Sequence, residues 1–427
     1  MDKRRVVVTG LGTVNSLGAC VNDFWKRSLD GTSGVRRIDE FAIPAHMSQI
    51  AGVADHWDDG PTLAQSLADA DGDDRSLRFA MQATAEALAD AGLGPEELAR
   101  YDGRRTGVHI ASAISHINRM EALYARQSRS GAEPVPPGEN TTGLTNPFLF
   151  NATSAEVAKR FGLRGRHGIM ATGCTGGVDA MGWALSAIRH DGLDLVIAGA
   201  TDAPITPLVV SAFAQINATS TRNDAPQQAS RPFNRDRDGF VLAEGCGIVV
   251  LESLESALAR GARIYAEIAG FDSVNSRYHM TSMPQDGAPI VRASAGALAD
   301  AGLTPDQVDF INTHGSSTPL NDVAENNAFH QLFGPRASHI PVTSIKSQTG
   351  HSLSAANAIE IVSSVMSIRE GVIPPTINLT EKDPACALDV VANTARQSPV
   401  TSVLKSSSGF SGIHSSLIIR ACEESAA

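Results

Sequence analysis

The segment ALADAGLGPEEL at 87–98 returns as ALADAGLTPDQV at 297–308, 210 residues further along the chain. Each copy reads as the end of a helix stopped at glycine, and each runs on into a β-type segment, GVHIAS in the first and VDFINTHGSS in the second. Alanine-rich helices that end in glycine can look alike by chance. The shared continuation from helix into strand favours an internal duplication, with residues 1–255 and 256–427 as two similar halves packed as one unit. Further strand and helix signals alternate along the chain. Residues 4–14 (RRVVVTGLGTV) are a β-branched run closed by glycines. Helical periodicity covers 76–91 up to Gly92, and strands are expected at 107–111 and at 193–200, the second buried on both faces. This alternation predicts an α/β fold with a largely parallel sheet.

Such a fold needs a large core, and 42% hydrophobic with 19% charged residues suits one. The 38 glycines and only 5% aromatics point to tight turns and close backbone packing. A net charge of −11 speaks against non-specific nucleic-acid binding, while leaving room for a local basic patch. The cysteines (20, 174, 246, 386 and 422) are odd in number and lack CxxC spacing, so neither a disulfide framework nor a zinc or other metal site is expected. MDKRRVVVTGLG lacks a secretory apolar core, and no apolar run reaches membrane-spanning length; the expectation is a cytoplasmic protein with no membrane partner. The polar stretches 128–146 and 219–239 are expected to be surface loops of the kind that form functional rims or lids.

Cys174 sits in ATGCTGGVDAMGWALSAI, where glycines allow a sharp turn and Val178, Met181, Leu185 and Ile188 recur at helical spacing. It should stand at the N-terminus of a buried helix, whose free N–H groups and dipole would stabilise a thiolate. Most free cysteines are small buried hydrophobes, so this residue alone leaves both readings open. His314 (INTHGSSTPLND) and His351 (IKSQTGHSLSAANAIEI) each follow a β-type run in a glycine-containing loop, where α/β enzymes place catalytic groups. Lys346, considered by itself, reads as a solvated surface charge. The turn GFSG before the last strand can present N–H groups to an oxyanion, or be an ordinary glycine turn.

Taken in order, TGCTGG, RPFNRDRDGFVLAEG, NTHGSSTPLND, IKSQTGH and the final GF resemble the β-ketoacyl synthases, condensing enzymes of the thiolase fold, over essentially the whole length. The resemblance implies a layered α-β-α-β-α core of two thiolase-like halves, the first carrying the nucleophile and the second the histidines and a gating loop. It implies that Cys174 carries an acyl chain as a thioester, with the N–H groups of Cys174 and Phe410 as oxyanion hole. His314 and His351 would then bind a malonyl thioester, promote loss of CO2 and stabilise the enolate. Lys346 would orient this network and Glu360 would support it. Ser316, Thr318 and Glu360 are expected at the substrate, Ile114 along the acyl pocket, and no cofactor is required.

AGATDAPITPLVVSAF (198–213) and IASAISHI (110–117) are similar to the α subunit of type II polyketide ketosynthases, whose partners are an acyl carrier protein and a chain-length-factor homologue. In IASAISHI, Ala113, Ser115 and His116 stand where fatty-acid enzymes usually have small glycines. Two features depart from the polyketide pattern: STPLND follows His314, and Ser411 stands where glycine is common. The sequence thus lies between polyketide and fatty-acid patterns, which suggests a reduced, polyene-type product. The alternatives are a homodimeric fatty-acid 3-oxoacyl synthase and a non-catalytic chain-length-factor-like scaffold; the intact Cys-His-His set speaks against the second. Arg222, Arg75 and Arg78 are the expected docking positions for an acidic carrier.

Overall fold

The computed structural model describes residues 3–55, 74–135 and 149–422. Part of the expected surface loop at 128–146, from residue 136 onward, lies outside the described residues. The elements that frame the site in the first half are β1 (Val6–Asn15), α1 (Arg75–Asp90), β2 (Thr106–Ala111), β3 (Arg166–Gly168), α2 (Gly176–His190), β4 (Leu195–Asp202) and β5 (Gly245–Ser253). Those of the second half are β6 (Ala266–Asn275), α3 (Ala288–Ala301), β7 (Phe310–Asn312), α4 (Pro319–Phe333), β8 (Pro341–Thr343), α5 (Ser354–Glu370), β9 (Asp389–Val390), β10 (Ser402–Gly409) and β11 (Ile413–Arg420).

The strands hydrogen-bond in the order β9-β8-β7-β10-β11-β6-β1-β5-β4-β2-β3. Outward from β1, the first half runs antiparallel to β5 and β4, then parallel to β2 and β3. Outward from β6, the second half runs antiparallel to β11 and β10, then parallel to β7 and β8. The pattern is repeated over five strands of each half, with β9 added parallel at the second edge, so the sheet is mixed with an antiparallel centre rather than largely parallel as the alternation of elements predicts. The halves meet where β1 and β6 pair antiparallel through Val7↔Glu267 and Val8↔Ala266, so the ladder is continuous rather than split into two separate sheets.

The repeated ALADAG segments show what the echo does physically. A Cβ on Gly10 of β1 would lie 2.1 Å from the carbonyl oxygen of Ala87, and one on Gly270 of β6 would lie 2.2 Å from that of Ala297. Glycine on the strand and alanine on the helix let each outer helix lie directly on its sheet. Asp90 then accepts the N–H of Leu11 at 3.0 Å, as Asp300 accepts that of Phe271 at 3.1 Å. Both carboxylates serve backbone freed by an irregularity in strand register beside these glycines.

Alternation along the strands produces the layers. In β5, Ile248 and Val250 face α1, while Val249 and Leu251 face a central layer made of α2 and α5. In the second half, Leu404 and Ile418 face α3 and α4, while Val403, Leu417 and Ile419 face the same central helices. Burial on both faces is why these strands read as continuous apolar runs. Among the described residues no helix is long and apolar enough to cross a membrane.

Candidate active site

The central helices bring the chemistry together. Cys174 lies in a single 3₁₀ turn, Gly173–Thr175, that leads straight into α2. Ser354 at the start of α5 donates to the Gly173 carbonyl at 2.6 Å, and the Asn357 amide donates to the carbonyl of Cys174. A Cβ on Gly177 would lie 2.6 Å from the backbone nitrogen of Ala358, so only glycine permits this crossing of α2 and α5. The sulfur lies beside the backbone N–H groups of Cys174 itself and of Phe410, the pair expected to form an oxyanion hole.

The thiol corrects one expectation. Burial pushes its pKa up to about 11; the positive charge of Lys346 and the two N–H groups act in the opposite direction without overcoming it. The helix N-terminus therefore orients the sulfur but does not leave it as a free thiolate. A nucleophilic role would require this proton to leave as the sulfur attacks.

His314 follows β7, and its loop is held by Glu325 of α4, which accepts the N–H groups of His314 and Gly315, each at 2.7 Å. His351 precedes α5; its N–H donates to the Val241 carbonyl at 2.7 Å and its own carbonyl accepts from Ala243 at 3.0 Å. Gly350 makes this possible, with φ of +77° and a place for Cβ only 2.9 Å from the Cβ of Ala243. The two rings stand edge to face with centroids 5.2 Å apart. Burial, and next the charge on Lys346, hold both well below the ordinary imidazole range, so both are neutral at physiological pH. Neutral rings can donate from one nitrogen and accept at the other.

Lys346 is 1% exposed, which overturns its reading as a surface charge. Its Nζ donates to the His314 carbonyl at 2.7 Å and to Glu360 Oε1 at 2.6 Å. Glu360 was expected at the substrate. It is instead buried behind the pocket wall, where its second oxygen forms an ion pair with Lys405 Nζ at 2.9 Å. A carboxylate between two buried ammonium groups has one oxygen engaged by each of them.

Cys174, His314, His351 and Phe410 line one cavity of about 360 Å³, together with Ser316, Thr318 and His414. Ser316 and Thr318 are thus where substrate contacts were expected, hydroxyl to hydroxyl at 2.9 Å, although Thr318 also caps α4. Phe410, Phe213, Phe240 and His351 form a chain of ring contacts from the mouth inward, with centroids 6.5, 5.5 and 5.2 Å apart. Ile114 packs in the apolar cluster that holds Cys174, Phe213 and Phe240. The 219–239 connection ends on the cavity wall at Asp238 and Gly239. Within it, Arg237 is buried against Asp322 and Asp383.

The arginines are placed less simply. Arg222 is about one-third exposed and bonds Asp236 at 2.8 Å, with Asp238 at 3.7 Å. Arg75 braces the buried Glu244, with Nε 3.1 Å from Oε2, so its charge is committed internally. Arg78 is half-buried on α1.

Sequence reasoning missed four groups. Lys405 and Glu325 support His314. Asp202, at the end of β4, accepts the Ser112 hydroxyl at 2.8 Å and the N–H groups of Ala113 and Ser354 at 2.9 and 2.8 Å. His414 bonds Ser408 at 3.0 Å on the cavity wall. The available signal was a charged residue inside or at the end of an otherwise buried strand (LKSSSG, LVIAGATD), which must be paired to be tolerated.

A sulfur beside two backbone N–H groups, with two neutral imidazoles lining the same cavity, is an arrangement that can hold one acyl group covalently while a second carbonyl is polarised beside it, the chemistry of a condensing enzyme. The comparisons give the family. Residues 3–257 match the family Beta-ketoacyl synthase, N-terminal domain, and residues 265–380 match Beta-ketoacyl synthase, C-terminal domain. The chain belongs to the β-ketoacyl synthases. It is 41% identical to the tetracenomycin polyketide synthase ketoacyl synthase alpha subunit of Streptomyces glaucescens, over 98% of this chain and 97% of that protein. It is 40% identical to 3-oxoacyl-[acyl-carrier-protein] synthase 2 of Coxiella burnetii, over 98% of this chain and 99% of that protein. Among solved structures it is similar, with a TM-score of 0.91 and 41% identity, to a type II polyketide synthase ketosynthase in complex with its acyl-carrier protein, covering 99% of this chain and 100% of that one. The ishigamide ketosynthase/chain length factor is similar with a TM-score of 0.88 and 30% identity, over 99% of this chain and 100% of that one.

Proposed function

We propose that this chain is the catalytic ketosynthase subunit of a type II polyketide synthase, extending a Cys174-bound acyl chain with a malonyl unit delivered by an acyl carrier protein. The observation that carries the reading is the meeting of Cys174, His314 and His351 on one cavity. The sulfur attacks the incoming thioester between the Cys174 and Phe410 N–H groups, its proton passes to the departing carrier thiol, and the acyl–sulfur bond forms. The malonyl thioester oxygen then sits against the two imidazoles. Its carboxylate leaves as CO2, and the electron pair becomes an enolate stabilised by ring N–H donors. The enolate carbon attacks the acyl carbonyl, the carbon–carbon bond forms, and Cys174 leaves and regains a proton. Neutral rings suit this step because a fixed cation would attract the malonyl carboxylate and oppose its loss.

The partners follow from similarity to a ketosynthase that binds a carrier protein and to a ketosynthase/chain length factor pair. A cytoplasmic location, a division of the halves near residue 255 and a reduced, polyene-type chain belong to the same proposal. Arg222 would dock the carrier at the rim beside Asp238; Arg222→Glu and added salt should both weaken carrier binding, and unchanged affinity in either test removes it. The test of the reading is reconstitution with acyl- and malonyl-carrier substrates and a co-expressed chain-length-factor homologue. The expected product is a β-ketoacyl chain two carbons longer, with release of CO2. A homodimer elongating fatty acyl chains without the homologue would favour the second reading, supported by the 40% identity to the 3-oxoacyl synthase.

A further inference from the structure

Lys405 stands at a position where nothing in a buried strand requires a charge. It lies on β10, opposite Leu417 of β11 and Asn312 of β7, in the interior of the sheet. With Val403 it faces the central apolar layer, and it is fully buried. An ammonium there is tolerated only with strong partners. It has three: Glu360 Oε2 at 2.9 Å, the Ser406 carbonyl at 2.5 Å and the Thr313 carbonyl at 3.3 Å. Lys346 mirrors this arrangement, holding the other oxygen of Glu360 and the carbonyl of the next residue, His314. Two ammonium groups on one carboxylate therefore grip successive carbonyls, 313 and 314, of the peptide that carries a reacting ring. Lys346 and Glu360 already form a neutral pair. Lys405 adds a net positive charge that folding of the pair does not need.

We propose that Lys405 is a positioning residue of the condensation step: through Glu360 and the Thr313 carbonyl it fixes the peptide that aims His314 into the cavity. Its charge also opposes protonation of both rings. The groups that face it are Glu360 from α5, Lys346 from the turn before α5 and Glu325 from α4. Burial lowers the Lys405 pKa to about 8, so this charge is complete below that pH and is lost above it.

Because the inference rests on the proposed condensation, the experiment reads the two half-reactions separately in the intact protein. Acyl loading of Cys174 is followed by mass spectrometry, and decarboxylation with chain extension by CO2 release and product. Lys405→Met should load at the wild-type rate but condense about 10- to 100-fold more slowly, the range for a displaced catalytic group. Wild-type condensation should fall as pH rises through about 8, and the variant should lack that alkaline limb. If Lys405→Met is not recovered folded, Lys405→Gln is read by the same assays. In addition, Glu360→Gln should slow condensation much less in the Lys405→Met background than in wild type. Wild-type condensation by the variant, an equal loss in both half-reactions with an unchanged pH profile, or additive effects with Glu360→Gln would each overturn the proposal. A wild-type enzyme that neither loads nor condenses would instead overturn the functional reading itself.

Discussion

The two halves offer matching positions to different chemistry. In the first, the turn after β3 leads into α2 and presents Cys174; in the second, the stretch after β8 leads into α5 and presents His351. The loop after β2 carries Ser112 to His116, and the matching loop after β7 carries His314. The supports differ in charge. The first half anchors its loop with two buried carboxylates: Asp202, whose pKa burial raises to about 7, and Asp74, which holds His116 at 2.7 Å. The second anchors its loops with Glu325 and with the Lys346–Glu360–Lys405 cluster. One half thereby presents a sulfur to backbone donors, and the other presents rings kept neutral by burial and, next, by nearby positive charge. Duplication supplied the geometry, and the buried charges beneath it made the halves unlike.

This contrast can be broken at its strongest point first. Cys174→Ala should abolish acyl loading, seen as loss of the acyl-enzyme mass, while leaving the second half able to decarboxylate malonyl-carrier. Elongation by that variant would remove the division of labour. His314→Ala or His351→Ala should leave loading close to wild type and slow condensation by about 10²–10³, the usual loss for one oxyanion donor. Equal losses in loading would mean that the rings also serve the sulfur. Glu360→Ala leaves two buried ammonium groups without their carboxylate and should destabilise the fold by about 3–5 kcal/mol in denaturant unfolding. A small change there would show that the cluster is hydrated. The smallest effect is expected at the gate. Ser411 adopts φ of +66° beside Phe410, held by the Met280 carbonyl at 2.6 Å and the Asn275 amide at 3.0 Å. Ser411→Gly should relieve left-handed strain, raising stability by about 1 kcal/mol, and should loosen the loop that carries Phe410.

Ser115, in the loop after β2, also has positive φ (+53°), and its N–H is held by the Ser112 hydroxyl at 2.9 Å. Beside it, His116 is buried against Asp74 at 2.7 Å. Where glycine would make the turn without strain, these side chains are accommodated by local hydrogen bonds. Both residues stand next to the cavity's apolar wall: Ser411 follows Phe410, which lines the cavity, and Ser115 follows Ile114, which packs in the cluster holding Cys174 and Phe213.

The alternation of strands and helices, the repeated ALADAG segment and the ordered set of motifs were legible without coordinates, because periodicity, glycine stops and short catalytic loops are local properties. So were Cys174, His314 and His351 as candidates, each marked by its own glycine-containing turn. What the linear chain left open depends on groups far apart in it. That Lys346 is buried, that Glu360 faces two lysines rather than substrate, and that the sulfur is protonated at rest all follow from desolvation, which exists only once the layers close over these groups. Lys405 shows the limit most clearly. Its place in LKSSSG marks it only as a charge that needs a partner; its role is set by a carboxylate on a helix and a carbonyl just past another strand that meet it only in the folded core.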